Sequence, residues 1–428
     1  MKIAIIGGGF TGLTAARGLL MAGHEVTVFE AAPQVGGLAS GIKAPNWDWY
    51  VERFYHHIFT TDHSIIELAT AIGARDMIFF NKQVTAFFCA EHGSHPVTLF
   101  GILGNSHLPF VDRVRYGATA LLLKQRNDWR RLEHETAEGY MRRWAGKRVY
   151  ELMWEPLLVG KFGPYAHDVN AAWLWARAKA RSFQLGYFAG GFQAFADALA
   201  RYVVEQLGGS VLVNCPVQAL EQRNDRWVVR TADGSDDFDS VIVASSPGVL
   251  LKLVPQLPRD YTARLTELKS VGAVVLVVAL RQQLLRNGEY WFMPPKRDFP
   301  YINVVEHTNM IDPAHYGGDR VIYLGDYLPT DHRYFSMPED EVTQEWLAPL
   351  TQINPDFRPE WVKQTWLFRE PYAQPVVPVD HSKHLPPLGT PLAGLFFASM
   401  SHVYPWDRGT NFAVELGHRV AAEVLGSV

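Results

Sequence analysis

Three glycines and one acid carry the first chemistry in this chain. Gly7, Gly9 and Gly12 stand in G-x-G-x-x-G spacing, and Glu30 follows near the ~20-residue offset at which a carboxylate accepts hydrogen bonds from ribose hydroxyls. Gly7 permits a tight turn, Gly9 lets backbone approach a pyrophosphate, and Gly12 lets a helix pack closely on a strand. The helix that opens at Thr11, with Phe10 just before it, offers free N–H groups and the positive end of its dipole to an anion, so both residues are candidates for cofactor contact. The expected ligand is a dinucleotide. Ala31 and Ala32 follow the acid, so no arginine meets a 2′-phosphate, and no second G-x-G-x-x-G marks a nicotinamide domain.

These residues work only on the right elements. "KIAII" reads as a buried parallel strand and "EVTVF" (Glu25 to Phe29) as its neighbour. Between them, Leu13, Ala16, Leu19 and Leu20 give helical periodicity over Thr11 to Ala22. The chain has 428 residues, above the size at which one core stops growing, so two lobes are expected. A net charge of −4 offers no electrostatic case for nucleic acid. Aromatics reach 13%, which fits either a roomy apolar pocket or a large core. Only Cys89 and Cys215 are present, without a Cys/His cluster, so neither a disulfide framework nor a metal site is expected. The first strand begins at Lys2, with no signal peptide ahead of it, and two cysteines fit a reducing compartment; the expected location is cytoplasmic.

The stretch "EAAPQVGGLASG" places Gly36 and Gly37 just past the acid, where a nicotinamide dehydrogenase has no need of paired glycines. Here the sequence resembles the FAD-dependent amine oxidase, protoporphyrinogen oxidase and phytoene desaturase superfamily. The resemblance implies an α/β fold: a Rossmann-like FAD-binding domain, with a parallel sheet and a small β-meander, plus an inserted α+β substrate domain. It places the FAD domain at residues 1–75, 188–265 and 390–428, and the substrate domain at 76–187 and 266–389. "WEPLLVGKFG" resembles a substrate-lobe stretch of protoporphyrinogen oxidases. The strands "VLVNCPVQALEQ", "RWVVRTADGS", with a turn at Asp233-Gly234, and "SVIVASSP" supply the meander and a return to the main sheet. "VGAVVLVVALRQQ", "YWFMP", "YINVVEH" and "VIYLGDYL" read as strands roofing the cofactor, and the first insertion reads as largely helical.

The C-terminal "GLFFASMSHVYPWDRGTNFAVELGHRVAAEVL" reads strand, loop, helix, with Thr410 as N-cap and Phe412, Leu416, Val420 and Val424 as the buried stripe. The resemblance assigns cofactor contacts to Gly36, Gly37, Leu38, Val217, Ser399, Arg408, Gly409, Asn411 and Phe412. It also contains departures. Leu38 stands where relatives usually carry arginine, and Ser399-Met400 where they carry Gly-Asp. The C-terminal loop has no cysteine, so the FAD is expected to be non-covalent. Tyr404 and Trp406 are candidates for the flavin edge, with His402 beside them, or else pack the loop. Tyr55, His56 and His57 face from the other side, where either imidazole is a candidate base near neutral pH; Lys161 is a further candidate.

The function implied is oxidation or dehydrogenation of a largely apolar small molecule, of amine, porphyrinogen-like or polyene class, with oxygen, a quinone or another external acceptor. The alternative is a redox-neutral mutase: "YHHIFTTD" also resembles the His-rich loop of UDP-galactopyranose mutases, with Arg369 and Arg408 as candidates for the sugar-nucleotide phosphates. A flavin-free binding module is the third class, and the intact front glycines argue against it. Finally, "FVDRVRYGATALLLKQR" mixes apolar and basic residues. It reads either as a core helix or as a weak peripheral contact with the inner face of a membrane.

Overall fold

Alternation along Lys2–Ile6 sets the central layer. Ile3 and Ile5 bury on one face and Ala4 and Ile6 on the other, so this strand is covered on both sides. In the computed structural model, which describes residues 1–89, 93–96, 108–182 and 184–427, it lies at the centre of a five-stranded parallel sheet. The order is Ser210–Leu212, Glu25–Phe29, Lys2–Ile6, Ser240–Val243, Leu395–Phe397. One face carries the first helix (Phe10–Met21) and the C-terminal helix (Thr410–Gly426), which bury Ala15, Ala16 and Leu19 with Leu416, Val420 and Val424. The other face carries the β-meander Ala219–Arg223, Arg226–Thr231, Gly234–Phe238 through Leu220, Trp227, Val229 and Phe238. The α/β class with its small meander is as expected.

Glycines set how close the layers come. Gly7 has φ +115°, and a Cβ on Gly12 would stand 2.0 Å from the Gly7 carbonyl oxygen. A Cβ on Gly417 would stand 2.6 Å from the Thr11 carbonyl oxygen and 2.7 Å from Thr14 Cβ, and one on Gly18 would stand 3.3 Å from Ala421 Cβ. Thr11 and Thr14 thus lie against Gly417, and Gly18 against Ala421. The first and last helices therefore run parallel and begin at the same end. Thr11 Oγ1 locks them by donating to the Ala413 carbonyl at 3.0 Å.

Three boundaries differ from expectation. The C-terminal helix takes Gly409 as N-cap, and Thr410 is its first helical residue. Thr231 pairs with Gly234, so the meander turn is Ala232-Asp233, one residue earlier than the Asp-Gly pair. Val217 lies in the irregular connection before Ala219, which is tied to the end of the second strand by Asn214 N–H to Ala32 O and Cys215 N–H to Glu30 O.

The inserted part is α+β. Its seven-stranded sheet runs Val362–Pro375, Ser270–Leu280, Arg320–Leu328, Asn303–Glu306, Glu289–Met293, Val84–Cys89, Gly93–Pro96. The four strands read from the sequence are present. The long edge strand Val362–Pro375 escaped notice because it is only half-buried and lacks clean alternation. Helices including Glu155–Phe162 and Ala172–Ala180 form a separate core around Tyr150, Phe162, Trp173 and Leu174. The helix Phe110–Gln125 buries only Thr119 and Leu123, so it is a surface helix and not a core one.

Packing at Gly12 predicts a contrast. Gly12→Ala should destabilise by about 2–3 kcal/mol through overpacking. Gly117→Ala, in a helix with open space around it, should be neutral or stabilising by up to about 1 kcal/mol. Urea-unfolding midpoints measure both, and a Gly12→Ala midpoint equal to wild type contradicts the packing.

Candidate functional site

At the front of the sheet, backbone faces backbone. A Cβ on Gly37 would lie 3.3 Å from Gly9 Cα, while one on Gly9 would meet only Gly37 Cα, at 3.8 Å. Gly36 and Gly37 have φ of +111° and +58°, so the pair turns in a way that side chains resist. Glu30 is held open by two backbone donors: Gly8 N–H to Oε2 at 2.7 Å and Ala32 N–H to Oε1 at 2.8 Å. Its remaining lone pairs are free to accept from a ribose. Phe10 stacks on Phe195 and Thr11 is spent on Ala413, so both offer only backbone here. Leu38 is half-buried and apolar.

The C-terminal helix begins beside the first. Its Thr410 Oγ1 is buried without a partner. Asn411 Oδ1 accepts from Ile65 N–H at 3.1 Å, which pins the helix His63–Ala71 to this end. Phe412 N–H already donates to the Gly409 carbonyl at 3.1 Å, so the free donors are those of Thr410 and Asn411, one position earlier than expected for Phe412.

The preceding loop divides the candidates. Tyr404 turns into the helical lobe: its hydroxyl donates to Glu133 and accepts from Asn170, both at 3.1 Å, and its ring meets Trp129. His402 is fully used. Its Nδ1 accepts from Ser399 N–H and its Nε2 donates to the Pro386 carbonyl, both at 3.1 Å. Ser399 is buried in the same capping box. Trp406 instead stacks between Phe412 and Trp175, with centroids 5.2 Å and 4.9 Å away.

Side chains from four segments converge, and several stay partly accessible although protein surrounds them, so they line a common cavity. Tyr55, His56 and His57 form one wall. Lys161, Arg177 and Arg181 come from the helical insert, Asp407 and Arg408 from the C-terminal loop, and Tyr327 and Gln374 from the large sheet. Lys161 Nζ and Arg177 Nη1 lie 2.5 Å and 3.5 Å from Asp407. Arg408 sits 4.7 Å over the Tyr327 ring and donates to Gln374 Oε1 at 2.8 Å. Tyr55 packs edge-on against Trp291 and accepts from Asn303 at 3.0 Å.

Burial depresses the pKa of His56 to about 4 and that of His57 to about 3, with Arg408 adding to both and Arg181 to His57. The expectation of an imidazole base titrating near neutral pH therefore fails: both rings are neutral and weakly basic. Lys161 is the group brought near neutrality. Burial lowers it to about 7 against the opposing pull of Asp407.

The family model described as flavin containing amine oxidoreductase matches residues 10–425. The chain belongs to that family. The chain is 25% identical over 171 residues to a protein described as a probable UDP-galactopyranose mutase of Klebsiella pneumoniae, covering 40% of this chain and 43% of that one. It is 25% identical over 167 residues to the mitochondrial protoporphyrinogen oxidase of Nicotiana tabacum, covering 38% and 32%. The matched stretches are thus under two thirds of either relative. Its fold is that of cyclohexylamine oxidase from Brevibacterium oxydans, with TM-score 0.71, 15% identity and 99% and 98% of the two chains covered.

The residues of this family member fit a flavin dinucleotide. The Gly9–Gly37 gap admits backbone contact only, Glu30 is oriented with lone pairs to spare, and Thr410 Oγ1 awaits a partner at a helix start. Sequence reading missed Arg177, Arg181, Asp407 and Gly417. The "WLWARAKAR" stretch held a signal, because two arginines at i, i+4 continue a helix otherwise made of buried tryptophans. Gly417 had none, since only the partner helix makes it necessary.

The charge states are measurable. Unfolded imidazoles titrate near pH 6.5. Folded His56 and His57 do not, so the stability they contribute is complete above 6.5 and is lost as pH falls toward 4. As pH falls from about 8 to about 6, ¹⁵N NMR should show both rings neutral throughout, while Lys161 takes up a proton through about 7. A histidine of this pair titrating near 6.5 contradicts the desolvated cavity.

Proposed function

We propose that this protein is an FAD-dependent oxidoreductase that removes a hydride or an electron pair from a largely apolar small molecule and passes it to an external acceptor such as oxygen or a quinone. The observation that carries this reading is the parallel pair of helix N-termini beside the Gly9–Gly37 gap. In this reading, residues 1–75, 188–265 and 390–428 hold the cofactor, and 76–187 and 266–389 shape the substrate space. Amine, porphyrinogen-like and polyene substrates all suit an aromatic-walled cavity.

When bound, flavin supplies the two-electron acceptor. The protein supplies the setting. Gly7, Gly9, Gly12, Gly36 and Gly37 admit a pyrophosphate to backbone donors, and Glu30 takes the ribose. The Thr410 and Asn411 N–H groups and the helix dipole favour negative charge at that end. Tyr55, Trp291 and Trp406 exclude water. Lys161, with its pKa near neutrality, takes up or gives a proton at Nζ.

The purified protein should be yellow, with a flavin spectrum that an amine, porphyrinogen or polyene bleaches anaerobically. Gly37→Val should lose most of the bound flavin while keeping its far-UV circular dichroism. A colourless wild type that takes up no added FAD overturns the reading. The mutase alternative is favoured by the His56-His57 loop facing Arg408. Arg369 argues against it, being tied to the carbonyls of Tyr334 and Met337. UDP-sugar turnover appearing only after dithionite reduction selects the mutase.

We also infer a peripheral membrane contact, which the surface supports. Phe110 (71% exposed), Val114 and Leu121 share one helical face, with Val111 and Leu122 flanking it, and Lys124 and Arg126 lie at its end. Among the described residues, no helix is long and apolar enough to cross a membrane. The protein should float with vesicles containing anionic lipid, and Val111→Asp with Leu121→Asp should abolish this; wild type left wholly unbound removes the contact.

A further inference from the structure

The cavity has a charge imbalance that an amine oxidoreductase site does not require. Lys161, Arg177, Arg181 and Arg408 converge there, and one carboxylate, Asp407, answers them. Among the described residues, Arg181 has no hydrogen-bond or ion-pair partner, and Arg408 has no acidic side chain at ion-pairing distance. Arg181 is exposed, although protein surrounds it as it surrounds a side chain that opens onto an internal cavity. His57 Nδ1, which feels the Arg181 charge, is buried without a partner, as is Trp173 Nε1 beneath Lys161 and Arg177.

Crowding like charges away from bulk water without compensation is costly, and proteins keep such groups where something else pairs with them. The bland account is that Arg177 and Arg181 only complement the C-terminal end of the helix Ala172–Ala180. That account leaves out Arg408, which reaches the same cluster from the C-terminal loop with no acid of its own. Burial and Arg177 together press even Arg181 down to about 9. A cation has the wrong sign for this pocket: an ammonium substrate would meet several positive charges and one carboxylate already engaged by Lys161 and Arg177.

We propose that the substrate carries an anionic group, a carboxylate or a phosphate, which docks on Arg177, Arg181 and Arg408 while its apolar body lies along Tyr55, Trp291 and Trp406. This rests on the oxidoreductase reading and narrows its substrate class. The guanidinium forks offer several donors to a planar or tetrahedral oxyanion, and Lys161 lies within the same group. The neutral rings of His56 and His57 suit this arrangement, since a further cation there would add to the repulsion and a further carboxylate would compete with the ligand. Arg181, with no other partner, is the residue whose loss should read most directly on the ligand's charged group.

Isothermal titration of the purified holoprotein with 1-naphthoate, 1-naphthyl phosphate and 1-naphthylmethylammonium tests this. At least one anion should bind, more weakly as salt rises, and the ammonium should not compete with it. Which of the two anions binds tells carboxylate from phosphate. Arg181→Met should weaken the anion by about tenfold or more, with the thermal midpoint of the ligand-free protein unchanged or raised, because an uncompensated charge has gone. A purely structural arginine would lower that midpoint. Tighter binding of the ammonium, binding of none of the three probes, or unchanged anion affinity in Arg181→Met overturns the proposal. So does loss of flavin from Arg181→Met, which would assign the cluster to the cofactor. If Arg181→Met does not fold, Arg408→Gln is read by the same titration. Failure of the oxidoreductase reading is separate: it shows as missing flavin in wild type, whereas failure here shows as flavin-loaded protein without anion preference.

Discussion

Two parallel helices held at near-backbone contact set the geometry of this protein. The first helix and the last come from opposite ends of the chain, yet Gly417 lies against Thr11 and Thr14, and Gly18 against Ala421. The Thr11–Ala413 hydrogen bond fixes their offset. Parallel packing sets both positive helix ends on one side of the sheet, where unfavourable dipole alignment must be offset by burial of Leu19, Leu416 and Val420 and by whatever anion is bound. Only glycine at the crossing allows it; any larger residue would separate the helices and the two sets of free N–H groups with them.

The cavity beside this pair obeys the opposite economy. The glycine front is almost all backbone, with a single carboxylate. The cavity is built of side chains: aromatic faces, neutral imidazoles and clustered cations. Low dielectric connects these features. It keeps His56 and His57 unprotonated, brings Lys161 near neutrality, and makes Asp407 indispensable to the basic side chains around it. Four segments far apart in the chain meet there, so small shifts of the helical insert against the large sheet would alter the charge environment as well as the shape.

Much of the fold was legible from local pattern. The front glycines, the alternation of Lys2–Ile6, the apolar run Ser270–Leu280 and the stripe Leu416, Val420, Val424 are each periodic over a few residues, and each element is present. The strand Val362–Pro375 was not legible, because a half-buried edge needs no regular alternation. Among the site residues, Gly9 and Gly37 lie against each other, a contact that their separate motifs did not state. Tyr404 does not join the cavity, because Glu133 and Asn170 of the insert draw its hydroxyl away. Neither partner lies near it in sequence, so nothing local could have shown it.

By itself the sequence determined where backbone must be bare: glycine is a local necessity, visible wherever a turn needs positive φ or a helix must touch a strand. It determined the order of elements for the same reason, since periodicity reports which faces are buried. The tertiary structure alone decided which charges share a cavity. Arg177, Arg181, Lys161, Asp407 and Arg408 acquire their chemistry from one another's fields and from the water they lose, and both depend on distances that only the folded chain creates.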